Sequence, residues 1–287
     1  MITFRTSIFY TIILILTYLI YVYPFDILYY LIFKENFFKL SSLLFTVVSY
    51  LIIIFYFKSN NTFIPIKLFV NEGMGIGFIS FCVVNIGLLI DNFYSITSHV
   101  LGAFCFLSII IITIYSLING RFINLKIINI ISSKVDEQIR LIFISDTHLG
   151  SNSKKHLEKI LIKIKDLEFD LFLIGGDFID SSSFDLDDLD ILKNINKPIL
   201  FISGNHEYYI KDYEKKLERL NKYNINFLDN DSFKYKKINF IGISDNLTLE
   251  NQKNIASKLV HEDLFNLILV HKPTLWDHVY EKTDLML

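Results

Sequence analysis

Residues 1–120 contain four apolar runs, at about 7–33, 37–57, 68–90 and 99–118, and only five Lys/Arg and four Asp/Glu. Each run reaches the roughly 20 residues that a helix needs to cross the hydrocarbon core of a bilayer. Polar breaks separate them: Lys34-Glu35-Asn36, then KSNN at 58–61 with Pro65 and Lys67, then DNFYSITS at 91–98. A signal peptide has a single short apolar region and a small-residue cleavage site, and nothing of that kind precedes the second run. This part of the chain is therefore expected to cross a membrane four times. Pro24 and Asp26 are expected to split the first run into a span and a short interfacial piece.

Orientation follows from the cations. With four spans, Arg5, Lys58, Lys67, Arg121 and Lys126 fall on one side and Lys34 and Lys39 on the other. Both termini are thereby expected in the cytoplasm, across a bacterial inner membrane. Asn71, Glu72 and His99 are expected at the membrane interface, and GMGIG at 73–77 as a site of close helix packing. Cys82 and Cys105 both lie inside apolar runs, which implies buried side chains and no disulfide framework.

From residue 121 the texture changes, with 23 Lys/Arg and 26 Asp/Glu in the remaining 167 residues. We place the domain boundary near Asn119-Gly120, giving a membrane region over 1–120 and an α/β domain over 121–287. Strands are expected at about 121–131, 139–145, 170–175, 198–203, 225–229, 233–243 and 265–270. Helices are expected at 154–167, 185–195, 208–222 and 249–259. In the helix from Lys154, the residues Leu157, Ile160, Leu161, Ile164 and Leu167 mark one face at helical spacing.

The chemistry sits where these strands end. IRLIFIS runs into Asp146-Thr-His148, DLFLIGG into Asp177, PILFISG into Asn205-His206-Glu207, and FNLILV into His271. Layered α/β sheets place their sites at such C-terminal strand ends. A carboxylate can give one oxygen to each of two divalent ions about 3.5–4 Å apart, and Asp177 suits that bridging role. Imidazole and carboxylate ligands together suit Mn, Fe or Zn. Asn205 is a neutral amide ligand that keeps the ions electrophilic, and His206 can approach a leaving oxygen as a general acid.

The order D-x-H, G-D, G-N-H-E, H resembles the calcineurin-like metallophosphoesterase superfamily over about residues 139–287. SDTHLG, GGDFID and SGNHEYY look most like its YkuE-like bacterial branch, some members of which carry N-terminal membrane helices. The resemblance implies a four-layer αββα fold built on two sheets. It also implies that Asp146 and His148 bind one ion, that Asp177 bridges, that Asn205 and His271 bind the other, and that His206 acts on the phosphate or leaving group. The expected activity is hydrolysis of phosphomonoesters or phosphodiesters, lipid-linked esters among them, by a membrane-anchored enzyme.

Two departures qualify this. Protein Ser/Thr phosphatases of the superfamily read G-D-x-x-D-R-G, whereas Ser181 stands here at the arginine's place, which disfavours that substrate class. The family's G-H-x-H motif, which gives one His to each metal, would follow a strand that here is DLML. The chain is therefore expected to be a C-terminally truncated form with impaired activity. The alternative is a non-catalytic membrane protein whose degenerate domain binds a partner.

The remaining candidates read blandly. His156, His261 and His278 are expected at the surface, and Trp276 in packing. Asp180 is expected to hydrogen-bond within the loop after Asp177, the alternative being support of a metal ligand from behind. The run DLDDLD at 185–190 reads as a helix start, its acids favoured by the helix dipole, since it lacks the Gly and Glu of a calcium loop. Residues 121–287 carry a net charge of −3 with no basic stripe, so nucleic acid is not a favoured partner.

Overall fold

A computed structural model describes residues 4–36, 39–59 and 63–287. The chain divides into two compact units, Met1–Phe122 and Ile123–Leu287.

The first unit is helical: α1 (Phe4–Tyr21), α2 (Tyr23–Phe33), α3 (Lys39–Lys58), α4 (Ile64–Tyr94) and α5 (Ser98–Asn119). Four stretches among the described residues are long and apolar enough to cross a membrane: Thr6–Phe33, Lys39–Lys58, Ile64–Tyr94 and Ser98–Asn119. The expected start of the second run at 37–38 and the end of the KSNN break lie outside the described residues. The first run is interrupted at Val22, and Pro24 falls in the first turn of α2, where its missing N–H leaves no helical bond unmade. Asp26, one turn on, accepts a hydrogen bond from Ser42 Oγ at 2.9 Å. Helix α4 starts earlier than the hydropathy suggested, so Asn71 and Glu72 lie within it, exposed, instead of preceding it. His99 Nδ1 sits 2.6 Å from the carbonyl of Ile32 and so satisfies an orphan acceptor near the end of α2.

The packing of this unit inverts the soluble pattern. Ser42, Thr46, Ser49 and Ile53 of α3 are buried, as are Gly77, Ser80, Val84 and Gly87 of α4, each set at helical spacing. Large residues such as Leu40, Leu51, Phe78 and Phe104 face outward. Small residues let helix backbones approach closely where no hydrophobic effect drives helices together. At Gly77 a Cβ would meet the carbonyl oxygen of Ile20 at 2.4 Å, which is the close packing expected of GMGIG.

The second unit has two four-stranded sheets. The first is parallel, in the order β1 (Leu141–Ile144), β2 (Leu171–Gly175), β3 (Ile199–Ile202), β4 (Ile225–Phe227). In the second, β5 (Asp231–Tyr235) pairs antiparallel with β6 (Ile238–Ile243), while β7 (Phe265–Val270) and β8 (Leu285–Met286) continue in parallel. Strand alternation separates three cores. Leu171, Leu173, Leu200 and Ile202 meet Ile238, Phe240, Leu267 and Leu269 between the sheets. Phe172, Ile174, Ile199 and Phe201 face Leu157 and Ile164 of α6 (Lys154–Ile164), together with Leu217 of α7 (Tyr213–Glu218). Ile241, Ile243, Ile268 and Val270 face Ala256 of α8 (Leu249–Leu259) and Val279 of α9 (Trp276–Val279). The layers are thus helix, sheet, sheet, helix.

Four expectations need correction. Residues 123–131 form no strand: Ile127 and Ile131 are 77% and 97% exposed, and no neighbouring strand among the described residues pairs with them. β propensity has no force without a partner. The expected strand 233–243 is a hairpin turning at Lys236-Lys237, with Lys236 left-handed at φ 53°. The 185–195 helix is 3₁₀ over Leu186–Asn194, begun by Asp185 accepting from Asp187 N at 3.0 Å. The 208–222 helix is a 3₁₀ turn at Glu207–Tyr209, then α7, then a second 3₁₀ turn at Arg219–Tyr223.

Gly77→Ala should lower the thermal midpoint of the first unit in detergent, by overpacking worth about 1–3 kcal/mol. Gly75→Ala, with nothing within 4 Å of the new methyl, should leave it unchanged or slightly raised. Equal effects of the two substitutions would show that the approach of α1 to α4 does not limit stability.

Candidate metal centre

Strands β1, β2, β3 and β7 deliver Asp146/His148, Asp177, Asn205/His206 and His271 from their C-terminal ends. The structure brings the imidazoles and carboxylates of this set together around one atom. Asp177 has a side chain only 4% exposed, and its Oδ2 lies 3.3 Å from His271 Nε2 and 3.8 Å from both His148 Nε2 and His206 Nε2. Its Oδ1 accepts from the backbone N–H of His206 at 2.9 Å. Asp146 Oδ1 is 3.8 Å from His148 Nε2. Two trios result, His148 with Asp177 and His206, and Asp146 with Asp177 and His271, each with donor atoms within 4.8 Å of one another. Asn205 is half-buried beside His206 and has no hydrogen-bond partner among the described residues.

The tautomers follow from what the outer ring nitrogens face, a hydrogen-bonding carbonyl for His271 and a carboxylate in ion-pair range for His148. His271 Nδ1 lies 3.0 Å from the carbonyl of Gly175, which accepts its proton. His148 Nδ1 lies 3.3 Å from Oδ2 of Asp180, a carboxylate only 6% exposed that also accepts from Ser151 N at 2.8 Å. Both rings therefore turn the Nε2 lone pair toward the Asp177 carboxylate. Lone pairs facing a carboxylate repel unless a cation lies between them, so this donor set fits metal ions of the borderline kind that take nitrogen and oxygen together. Asp180 thus reaches beyond its own loop, to Ser151 N, the Leu149 carbonyl and the His148 ring, a position from which metal sites commonly orient an imidazole.

The backbone that presents these groups is unusual. Asp146, His148 and Asp177 all adopt left-handed conformations, with φ of 55°, 50° and 50°. Asp and His tolerate that region better than most residues, but each such residue still costs on the order of 1–3 kcal/mol. The two loops hold each other there: His148 N donates to the carbonyl of Asp177 at 2.9 Å, Leu149 N to that of Phe178 at 2.8 Å, and Asp180 N to that of Leu149 at 3.1 Å.

Two acids, Glu207 buried and Asp229 half-buried, neither given a role from sequence, hold the β3 loop. Glu207, fully buried, accepts from the N–H groups of Asp177 (3.0 Å), Ile179 (2.9 Å) and Gly204 (2.8 Å). Burial pushes its carboxyl above the usual range, although the three donors pull the other way. Asp229 accepts from Ser203 N at 2.8 Å, from the Ser203 hydroxyl and from the Tyr208 hydroxyl at 3.1 Å. Tyr208 also reaches Ser244 Oγ, beyond the end of β6, at 2.5 Å. Burial and the nearby Asp229 charge push the Tyr208 hydroxyl up to about 12. The Glu207 signal was visible as the acid of the G-N-H-E run, whereas Asp229 carries no motif.

Of the residues read as bland, His156 is half-exposed on α6, its pKa lowered first by burial and then by Lys159. Trp276 is 39% exposed, its ring 6.4 Å from that of Tyr280.

Comparison with known proteins bears on this geometry. Residues 139–284 match the model of the calcineurin-like phosphoesterase family, about half of the chain. An uncharacterized metallophosphoesterase of Helicobacter pylori is 31% identical over 151 residues, 49% of this chain and 40% of the relative. An uncharacterized metallophosphoesterase of Campylobacter jejuni is 25% identical over 162 residues, 54% and 43% of the two chains. A Danio rerio transmembrane protein with a metallophosphoesterase domain is 34% identical over 96 residues, 32% and 22% respectively. The chain thus spans about two fifths of the length of the bacterial relatives it matches. Because that family match covers half of the chain, the chain belongs to the calcineurin-like phosphoesterase family.

Proposed function

We propose that this chain is a membrane-anchored phosphoesterase of the YkuE-like kind, hydrolysing phosphomonoesters or phosphodiesters at two divalent ions. The observation that carries the reading is the Asp177 Oδ2 oxygen ringed by three imidazole Nε2 atoms at 3.3–3.8 Å. By the family resemblance, Asp146 and His148 would hold one ion, Asp177 would bridge, and Asn205 and His271 would hold the other, while the donor atoms themselves gather as His148 with His206 and Asp146 with His271 about Asp177. The ions are Mn, Fe or Zn, in keeping with the mixed nitrogen and oxygen donors. When bound, such a pair activates a water and offsets the charge of the phosphoryl oxygens.

The chain's own residues do the rest. Asp180 keeps the proton of His148 on Nδ1, so that Nε2 stays free to ligate. The Gly175 carbonyl does the same for His271. His206, its backbone tied to Asp177 Oδ1, presents Nε2 to the leaving oxygen and gives it a proton. The helices of the first unit keep the site near a bilayer, where lipid-linked esters are within reach. The cation distribution puts the catalytic unit on the cytoplasmic face of a bacterial inner membrane.

Manganese titration of the full chain in detergent, followed by calorimetry and EPR, should find binding that Asp177→Ala abolishes. Hydrolysis of bis(p-nitrophenyl) phosphate should depend on the metal and be lost in EDTA. No metal binding would sink the site, and hydrolysis that persists in EDTA would sink the two-ion reading.

Asp180→Asn should lower manganese affinity by about 10–100-fold while leaving the far-ultraviolet circular dichroism unchanged. Unaltered affinity would mean that the contact between Asp180 and His148 does not orient the ligand.

A further inference from the structure

The loop that carries His206 ends in two tyrosines with opposite fates. Tyr208 turns inward to Asp229 and Ser244. Tyr209 is 75% exposed, the most exposed aromatic side chain among the described residues from Ile123 onward. Its neighbours leave the backbone little freedom, because Glu207 is fully buried, Tyr208 is anchored through its hydroxyl, and Ile210 is 6% exposed. The 3₁₀ turn Glu207–Tyr209 is thus fastened on both sides of the exposed ring.

That ring is not placed at random on the surface. Its centroid lies 5.7 Å from that of His206, at an interplanar angle of 73°. His206 in turn meets His148 edge to face at 4.6 Å. Three rings therefore run from the candidate metal centre out to solvent, with His206 in the middle. A proton given by His206 goes to the leaving oxygen, so the body of the leaving group extends beyond His206, where Tyr209 stands. A fixed aromatic face in water presents apolar area at little cost in lost rotamer freedom, and aromatic pairs gain beyond their buried area.

We propose that Tyr209 is a specificity-determining residue of this site, a platform on which a planar aromatic leaving group stacks, so that aryl esters are preferred over simple alkyl esters. The proposal rests on the phosphoesterase reading above and narrows its substrate class. Its one requirement is that the phosphoryl group and the ring be engaged together.

Binding of non-hydrolysable analogues tests it without relying on turnover. Phenylphosphonate and methylphosphonate are titrated by calorimetry into the full manganese-loaded chain in detergent, as wild type, Tyr209→Ala and Tyr209→Phe. Wild type should bind phenylphosphonate about 2–12-fold more tightly than methylphosphonate, the range that one aromatic pair supplies. Tyr209→Phe should keep that ratio. Tyr209→Ala should bring it close to one while leaving the methylphosphonate affinity in place. Metal-dependent binding of both ligands with no preference in the wild type, or an equal loss of both in Tyr209→Ala, overturns the platform and leaves the phosphoesterase reading standing. Absence of metal-dependent binding of either phosphonate overturns that reading, and the platform with it.

Discussion

The carboxylate of Glu207 is the interaction on which the site depends. Taking a charge out of water costs several kcal/mol unless hydrogen bonds replace the lost solvation. Here three backbone N–H groups do so, two from the β2 loop at Asp177 and Ile179 and one from the β3 loop at Gly204. The same bonds join the segment bearing Asp177 to the segment bearing Asn205 and His206. An apolar side chain in that position would leave three N–H groups buried and unpaired, at about 1–3 kcal/mol each. The clamp is so close that Gly204 cannot carry a side chain, since a Cβ would lie 2.2 Å from Asp177 Oδ1.

Sequence reasoning singled out Asp146, His148, Asp177, Asn205, His206 and His271 because each follows an apolar strand, and parallel strands bring their C-terminal ends to one edge, where the imidazoles and carboxylates among them gather. It gave no role to Glu207 and could not choose for Asp180 between a bond in its own loop and support of a ligand. Their partners in the other loop lie 28–32 residues away, in a pairing that is a product of the fold. Turns were the other blind spot. The β5–β6 hairpin turns at Lys236-Lys237, without the Asn-Gly or Asp-Gly that usually marks such a turn. The segment 123–131 misled in the opposite way, since its Ile-rich composition reads as strand while its backbone has no partner among the described residues.

The two units apply one set of periodicities with opposite signs. In the second, Leu171 and Leu173 face one core and Phe172 and Ile174 another, so β2 reads as an unbroken apolar run, as strands covered on both faces do. In the first, the buried stripe of α3 is Ser42, Thr46, Ser49 and Ile53, and the large apolar side chains point away from it. Hydropathy alone locates the spans but cannot identify the packed face. The small residues do that, because they permit the approach of Gly77 to Ile20.

The metal centre gathers several unfavourable features at one point. Asp146, His148 and Asp177 are left-handed, and a nearly buried carboxylate faces imidazole lone pairs. Such features persist only where the surroundings over-determine them. Those surroundings are identifiable: the paired β1 and β2 loops, the Glu207 clamp, and the Tyr208–Asp229–Ser244 anchor across to the second sheet. The folding energy of the two sheets thereby holds these donor atoms in place. A cation bound among them would relieve their repulsion. Its affinity is therefore linked to the stability of the second unit, in proportion to the logarithm of its concentration over its dissociation constant.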